Sequence, residues 1–189
     1  QRMAWMFEGE ARFDKLKEMR IEALRLMHLL QHCRPKIIGS TFTGHVRQGS
    51  DIDIHVFAAN TDAVTSTLDQ EGMSYDVEHK HVRNHGEERV FTHIHVAERF
   101  PIELTLYSPD KASYVFRSSI TGKAMERATL AEFEEFLLAE YPGIDLDEEL
   151  EAAESEVDRF QVYRSLLIPL DGWEQSKKWH PEGDVLYHS

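Results

Sequence analysis

Gly39-Ser40-Thr41-Phe42-Thr43-Gly44-His45-Val46-Arg47-Gln48-Gly49-Ser50-Asp51-Ile52-Asp53 joins two short apolar runs. The first, Lys36-Ile37-Ile38, reads as a buried strand ended by Gly39-Ser40. The second, Asp51 to Phe57, alternates strictly: Ile52, Ile54 and Val56 face one way, Asp51, Asp53 and His55 the other. A strand that ends in Gly-Ser and runs into a helical turn leaves free backbone amides at the corner, an expected anion site. Gly39 lets the backbone approach a phosphate closely, and Ser40 can add its hydroxyl. Two carboxylates at i and i+2 of a strand share a face and can share hard divalent cations, which prefer oxygen ligands. The phosphate corner and the acidic strand are thus adjacent, as phosphoryl-type transfer requires.

Two such cations about 3.5–4 Å apart suit in-line attack on a phosphate. A third carboxylate would complete the site. Glu103 is the candidate, because Pro101-Ile102-Glu103-Leu104-Thr105-Leu106-Tyr107 alternates cleanly, with Ile102, Leu104 and Leu106 on the apolar face. If this strand lies beside residues 51–57, the three acids converge. Glu103 would then act as metal ligand and as base, or electrostatic aid, for an attacking hydroxyl.

The surrounding chain supplies a scaffold. Phe13, Leu16, Met19, Leu24, Met27 and Leu30 recur at helical spacing, predicting an amphipathic helix over 7–33 that Pro35 closes. Residues 41–47 read as a helical turn or short helix. A helix is expected over 61–71, capped by Thr61 or Asn60 and ended at Gly72. Strands follow at roughly 74–82, 89–97 and 101–107, the first two joined at Asn84-His85-Gly86. After Pro109 the chain turns helical. Thr129 with Glu132 forms a capping box for a helix over 129–140, and a second helix is expected over 147–167, with Leu150, Val157 and Phe160 inward. The fold class expected is therefore α/β (α+β): a mixed sheet flanked by helices, with an appended C-terminal helical arm.

Composition narrows the function classes. The 189 residues are 41% hydrophobic and 29% charged, with a formal net charge of −13. Residues 126–159 hold thirteen Asp or Glu against two Arg, so the acidity belongs mainly to one helical stretch. Such a charge disfavours long nucleic acids, whose phosphates need Lys and Arg, but not a mononucleotide with its metal or a short RNA end. No apolar run is long enough for a membrane span, and Gln1-Arg2-Met3-Ala4-Trp5 lacks the build of a signal peptide. Cys33 is the only cysteine, which points to a reducing cytoplasm.

The segment containing Gly39, Ser40, Gly44, Ser50, Asp51 and Asp53 resembles the DNA polymerase β-type nucleotidyltransferase superfamily, in its minimal, Gly-Ser form. The marks of that family are Gly-Gly or Gly-Ser, a spacer, Asp-hydrophobic-Asp-hydrophobic, and a third acid on a later strand. The resemblance covers roughly residues 10–110. Many relatives carry Arg in the turn where this chain has Thr41 and Thr43, and Arg47 is the candidate substitute. The Gly-Gly form of the CCA-adding enzymes is absent. At the end of the chain, His180-Pro181-Glu182-Gly183-Asp184-Val185-Leu186-Tyr187-His188 resembles the opening of an HD-type phosphohydrolase domain, without the later His-Asp pair.

The resemblance implies a nucleotidyltransferase core over 1–110, a helical arm over 111–170 and an HD-like stub over 171–189. It implies transfer of a nucleoside monophosphate from a nucleoside triphosphate, ATP being the expected donor, with release of pyrophosphate. Asp51, Asp53 and Glu103 would hold two Mg2+ ions. Gly39, Ser40, Gly44, Arg47 and Ser50 would bind the nucleotide. The acceptor is open: a small molecule, an RNA 3′ end or a protein. So is the oligomeric state. The alternative is a non-catalytic nucleotide-binding regulatory domain of a longer nucleotidyltransferase-HD protein.

Other polar groups carry plainer readings. His28 and His32 read as surface or packing histidines. His79, His81, His93 and His95 read as cross-strand pairs on a solvated face. His55 either bonds near the site or is structural. Lys111, Arg117 and Lys123 read as ordinary surface cations.

Overall fold

The computed structural model describes residues 2–84, 86–118 and 121–167. The HD-like tail at 171–189 lies outside the described residues. The fold is mixed α/β. Its six strands are β1 (Lys36–Ile38), β2 (Ile52–Phe57), β3 (Tyr75–Asn84), β4 (Glu87–Ala97), β5 (Pro101–Tyr107) and β6 (Ala128–Thr129). They form one sheet in the order β3-β4-β5-β2-β1-β6. Neighbours are antiparallel except β2 and β5, which run parallel with Asp53 level with Glu103.

Five α-helices accompany the sheet among the described residues: α1 (Arg2–Leu29), α2 (Gly39–Thr43), α3 (Asp62–Gln70), α4 (Leu130–Glu140) and the long C-terminal α5 (Leu146–Leu167). None of them is long and apolar enough to cross a membrane. Period-two alternation gives the sheet one dry face. Ile52, Ile54, Val56, Ile94, Ile102 and Leu104 are fully or almost fully buried there, against Leu24 and Met27 of α1 and Val64 and Leu68 of α3. Each such side chain contributes about 1.5–3 kcal/mol of transfer free energy.

α1 departs from a simple amphipathic helix. Residues Met19 to Met27 are all buried, because the sheet core covers one side while α4 and α5 cover the other. The burial enforces pairing: Arg25 donates to Glu22 at 3.0 and 2.7 Å. Phe13, expected in the apolar stripe, is 72% exposed, since the packed part of α1 begins at Leu16. Asn60 rather than Thr61 caps α3, its Oδ1 accepting from the Ala63 amide at 3.0 Å.

Residues beyond 110 return to the same core. β6 adds to the sheet edge beside β1, a strand too short to show periodicity in sequence. The capping box of Thr129 and Glu132 starts α4 as expected, and Phe133 and Leu137 of α4 are fully buried in the core that holds Ile37 and Leu104. Val157 of α5 is buried, and Lys17 of α1 binds Glu149 of α5 at 2.7 Å.

Candidate active site

The site is built on the polar face of the sheet at the start of β2. Ile38, the last residue of β1, pairs with Asp53. Gly39 follows at φ +72°, and a Cβ there would lie 2.6 Å from Asp53 Oδ2. Only glycine meets both conditions. The chain then makes α2, a single short turn closed by Gly44 at φ +86°, whose amide donates to Ser40 O at 2.8 Å.

Arg20 of α1 fixes this corner from below. Its guanidinium donates to Thr41 O and Phe42 O, both at 2.9 Å, and to the Tyr141 hydroxyl at 3.1 Å, and it lies 4.9 Å from the Phe136 ring centre. Thr41 Oγ1 reaches Asp51 O at 3.3 Å. A turn at 47–50 leads into β2: Ser50 Oγ accepts from the Arg47 amide at 2.7 Å, and Gly49 has φ +82°. The Ser50 hydroxyl is therefore engaged in shaping the entry to Asp51. Arg47 is exposed on that turn, while Ser40 and Gly44 are half-buried.

Asp53 on β2, Glu103 on β5, His95 on β4 and Asp76 on β3 form one row across the sheet. The next row holds His55, Thr105, His93 and Glu78. Electrostatics report the crowding of the acids. The Asp53 carboxyl is pushed up to about 7, first by burial and then by the charges of Glu103 and Asp51. Asp51 is raised by burial and then by Glu103. Glu103 moves the other way, held below the usual carboxylate range chiefly by its hydrogen bond with His93.

Three oxygen-donor side chains whose charges repel one another fit a hard divalent cation, which would relieve that repulsion. Among the described residues, however, no group of His, Cys, Asp or Glu is gathered into a ready metal cage. The Glu103 oxygens face β4: His93 Nδ1 is 3.1 Å from Oε1, and His95 Nδ1 is 3.7 Å from Oε2. His95 Nε2 in turn lies 2.9 Å from Glu78.

The sequence pattern of β4 gives no sign that His93 and His95 stand beside the site. His93 and His95 are not a freely solvated pair; they flank Glu103, and the His93 side chain is only 16% exposed. Their phase relative to Glu103 was readable only once β4 was known to pair with β5. The plainer reading holds for His79, which faces Thr92 at 3.1 Å, and for His81, which faces Glu88 at 3.1 Å. His28 pairs with Glu134 at 2.8 Å, and His32 with Ala63 O at 2.9 Å.

Past Asp53 the face turns aromatic. His55 is 4% exposed, packed edge-on to Tyr107 and Phe116 at 4.8 and 5.4 Å between ring centres. Burial, then the nearby charges of Arg127 and His93, push it down to about 3, so it is neutral at physiological pH. Its Nδ1 is buried without a hydrogen-bond partner. Arg127 lies 4.2 Å from the Phe116 ring centre, and Lys36 donates to Ala112 O. Arg127 and Lys36, rather than Lys111, Arg117 or Lys123, are the cations whose charges reach His55; Arg117 donates to Gly122 O at 3.2 Å. Arg127 sits in an irregular segment, where sequence periodicity offers no signal.

A recess of about 430 Å³ opens elsewhere, between α1 and α5. Its two cations are paired with lining acids, Lys17 with Glu149 at 2.7 Å and Arg99 with Glu18 at 2.6 Å, and none of the site carboxylates lines it. No family model, no curated protein and no solved structure matches the chain.

Proposed function

We propose that this protein is a metal-dependent nucleotidyltransferase that moves a nucleoside monophosphate from a nucleoside triphosphate, ATP in the first instance, to an acceptor hydroxyl and releases pyrophosphate. The observation that carries the reading is the level placement of Asp53 and Glu103 on parallel neighbouring strands, with Gly39 pressed against the Asp53 carboxylate. In this reading Asp51, Asp53 and Glu103 would hold two Mg2+ ions, whose charge would offset that of the triphosphate. Glu103 accepts the proton of the attacking hydroxyl. The backbone of Gly39 and Ser40 receives the triphosphate, with Arg47 on the exposed turn as its cation.

Residues 1–110 carry the chemistry in this reading, and β6, α4 and α5 brace it. A small hydroxylated acceptor suits the net charge of −13 better than a long RNA. The buried free thiol of Cys33 fits a reducing compartment such as the cytoplasm.

A second reading, a nucleotide-binding regulatory module that transfers nothing, is favoured by one observation: the described residues form no ready metal cage. Incubation with α-labelled ATP, Mg2+ and a panel of hydroxylated acceptors separates the two. Label transfer that Asp53→Ala abolishes supports the enzyme; ATP binding by calorimetry without any transfer supports the module.

A further inference from the structure

The polar face of β4 and β3 holds a feature that the three carboxylates do not require. His93 of β4 hydrogen-bonds one Glu103 oxygen, its Nδ1 3.1 Å from Oε1, and His95 of the same strand flanks the other oxygen, its Nδ1 3.7 Å from Oε2 and beyond hydrogen-bond length. The His93 and His95 rings are nearly parallel, 6.3 Å apart with 19° between planes, so they approach the carboxylate as two jaws. His95 is itself anchored, its Nε2 lying 2.9 Å from Glu78 on β3. Thr105, one residue pair along β5, places its hydroxyl 3.3 Å from His93 Nδ1 and limits the turning of that ring.

The sheet register sets this arrangement. His95 is level with Glu103 and His93 with Thr105 across the β4–β5 pair, and Glu78 is level with His93 across β3–β4. A glutamate on an exposed strand face samples several rotamers, and fixing it costs side-chain entropy. A carboxylate already hydrogen-bonded by His93 and flanked by His95 meets less of that cost when it binds a cation. Each carboxylate oxygen also has two acceptor sites, so the hydrogen bond from His93 to Oε1 leaves further lone pairs on both oxygens for a metal or a hydroxyl.

The geometry points to His93 and His95 as positioning residues that hold the Glu103 carboxylate ready for the divalent cation, with Glu78 fixing His95. This rests on the metal-site reading of Asp51, Asp53 and Glu103. Hydrogen-bonding partners of metal ligands change metal affinity or activity by about 10–100-fold when removed. A role confined to sheet stability would lower Tm and leave cation affinity alone.

The test measures Mn2+ affinity by electron paramagnetic resonance and melting temperature by calorimetry on the whole chain, alongside label transfer. His93→Ala and His95→Ala should each weaken Mn2+ binding by about 10-fold or more, while His93→Asn, whose amide N–H lies near the former Nδ1, should stay within about 3-fold of wild type. Glu78→Ala removes an exposed side chain with little risk to folding and should weaken binding through His95, by about 3-fold or more. Mn2+ affinity unchanged in Glu78→Ala and in both alanine variants, with Glu103→Gln impaired, would overturn the clamp. Wild-type protein that binds no Mn2+ overturns both the clamp and the transferase reading. Wild-type protein that binds Mn2+ with the expected variant pattern but transfers no label supports the clamp and refutes the transferase alone.

Discussion

Asp53 and Glu103 stand level on the parallel strands β2 and β5, yet their carboxyls are displaced in opposite directions, Asp53 upward to about 7 and Glu103 downward. The asymmetry has a structural source. Glu103 has histidines on its outer side, whereas Asp53 is the more buried and faces two other acids. At neutral pH the cation-free site therefore shares its charge unevenly, with Asp53 partly protonated.

This asymmetry sets a pH dependence. A carboxyl whose folded value lies above its unfolded one favours the folded state when protonated. That contribution is fully present below about 3.8 and is lost as pH rises through about 7. Cation-free protein should accordingly lose thermal stability between about pH 4 and pH 7 and level off near pH 8, and Asp53→Asn should flatten that slope. At pH 8 the variant should gain roughly 1–3 kcal/mol, a rise of about 2–10 °C in Tm. Millimolar Mg2+ should stabilise the wild type most at pH 8 and Asp53→Asn hardly at all. Calorimetric scans of both proteins at several pH values check this; parallel curves would contradict it.

Gly39→Ala tests the corner. The new methyl would meet Asp53 Oδ2 at 2.6 Å in a backbone at φ +72°. We expect a loss of about 1–3 kcal/mol, read by urea denaturation, since the conformation disfavours an L side chain. Label transfer should fall by more than about 10-fold, because displacing a reacting group by about 1 Å has large kinetic effects. A Gly39→Ala protein with normal transfer would show that the close approach to Asp53 is dispensable.

Arg20 should prove structural and indirectly functional. It is 3% exposed and donates to two carbonyls of the Thr41-Phe42 turn. Arg20→Ala leaves those carbonyls with fewer donors and opens a gap beside Phe136, and should cost about 2–4 kcal/mol. Arg20→Lys keeps the charge but not the fork, and should recover less than half of that. Denaturant titration of both variants gives the comparison.

The helices after residue 110 make a separate prediction. Phe133→Ala removes a fully buried ring from the core shared with the sheet and should cost about 3–5 kcal/mol. A single cooperative transition that moves as one unit is expected. A biphasic melt, with only one phase shifted, would show instead that α4 and α5 form an independently folding arm.

Much of the fold was legible because its strands obey period two. Ile52, Ile54, Val56, Ile102 and Leu104 announce their face by alternation, and Thr129 with Glu132 announces a helix start. Local chemistry also singled out Gly39 and the acids as candidates, and the fold sets Gly39 against Asp53 and Asp53 level with Glu103. What sequence could not supply was register. The pairing of β4 with β5 turns His93 and His95 from surface residues into neighbours of Glu103, and nothing within residues 87–97 encodes that phase. β6 and Arg127 escaped for a related reason: their positions depend on contacts with β1 and Phe116, far away in sequence. Phe13 matched the helical period but lies outside the packed length of α1.

The parallel pairing of β2 with β5 has a kinetic consequence. α3, β3 and β4 all lie between Asp53 and Glu103 in the chain, so that excursion must wind back before the two residues can meet. A half-folded chain can own the glycine corner and both early aspartates while lacking their partner. On the proposed function, an ion shared by Asp53 and Glu103 would bind only after β5 has docked on β2, so its uptake during refolding should follow that docking rather than precede it.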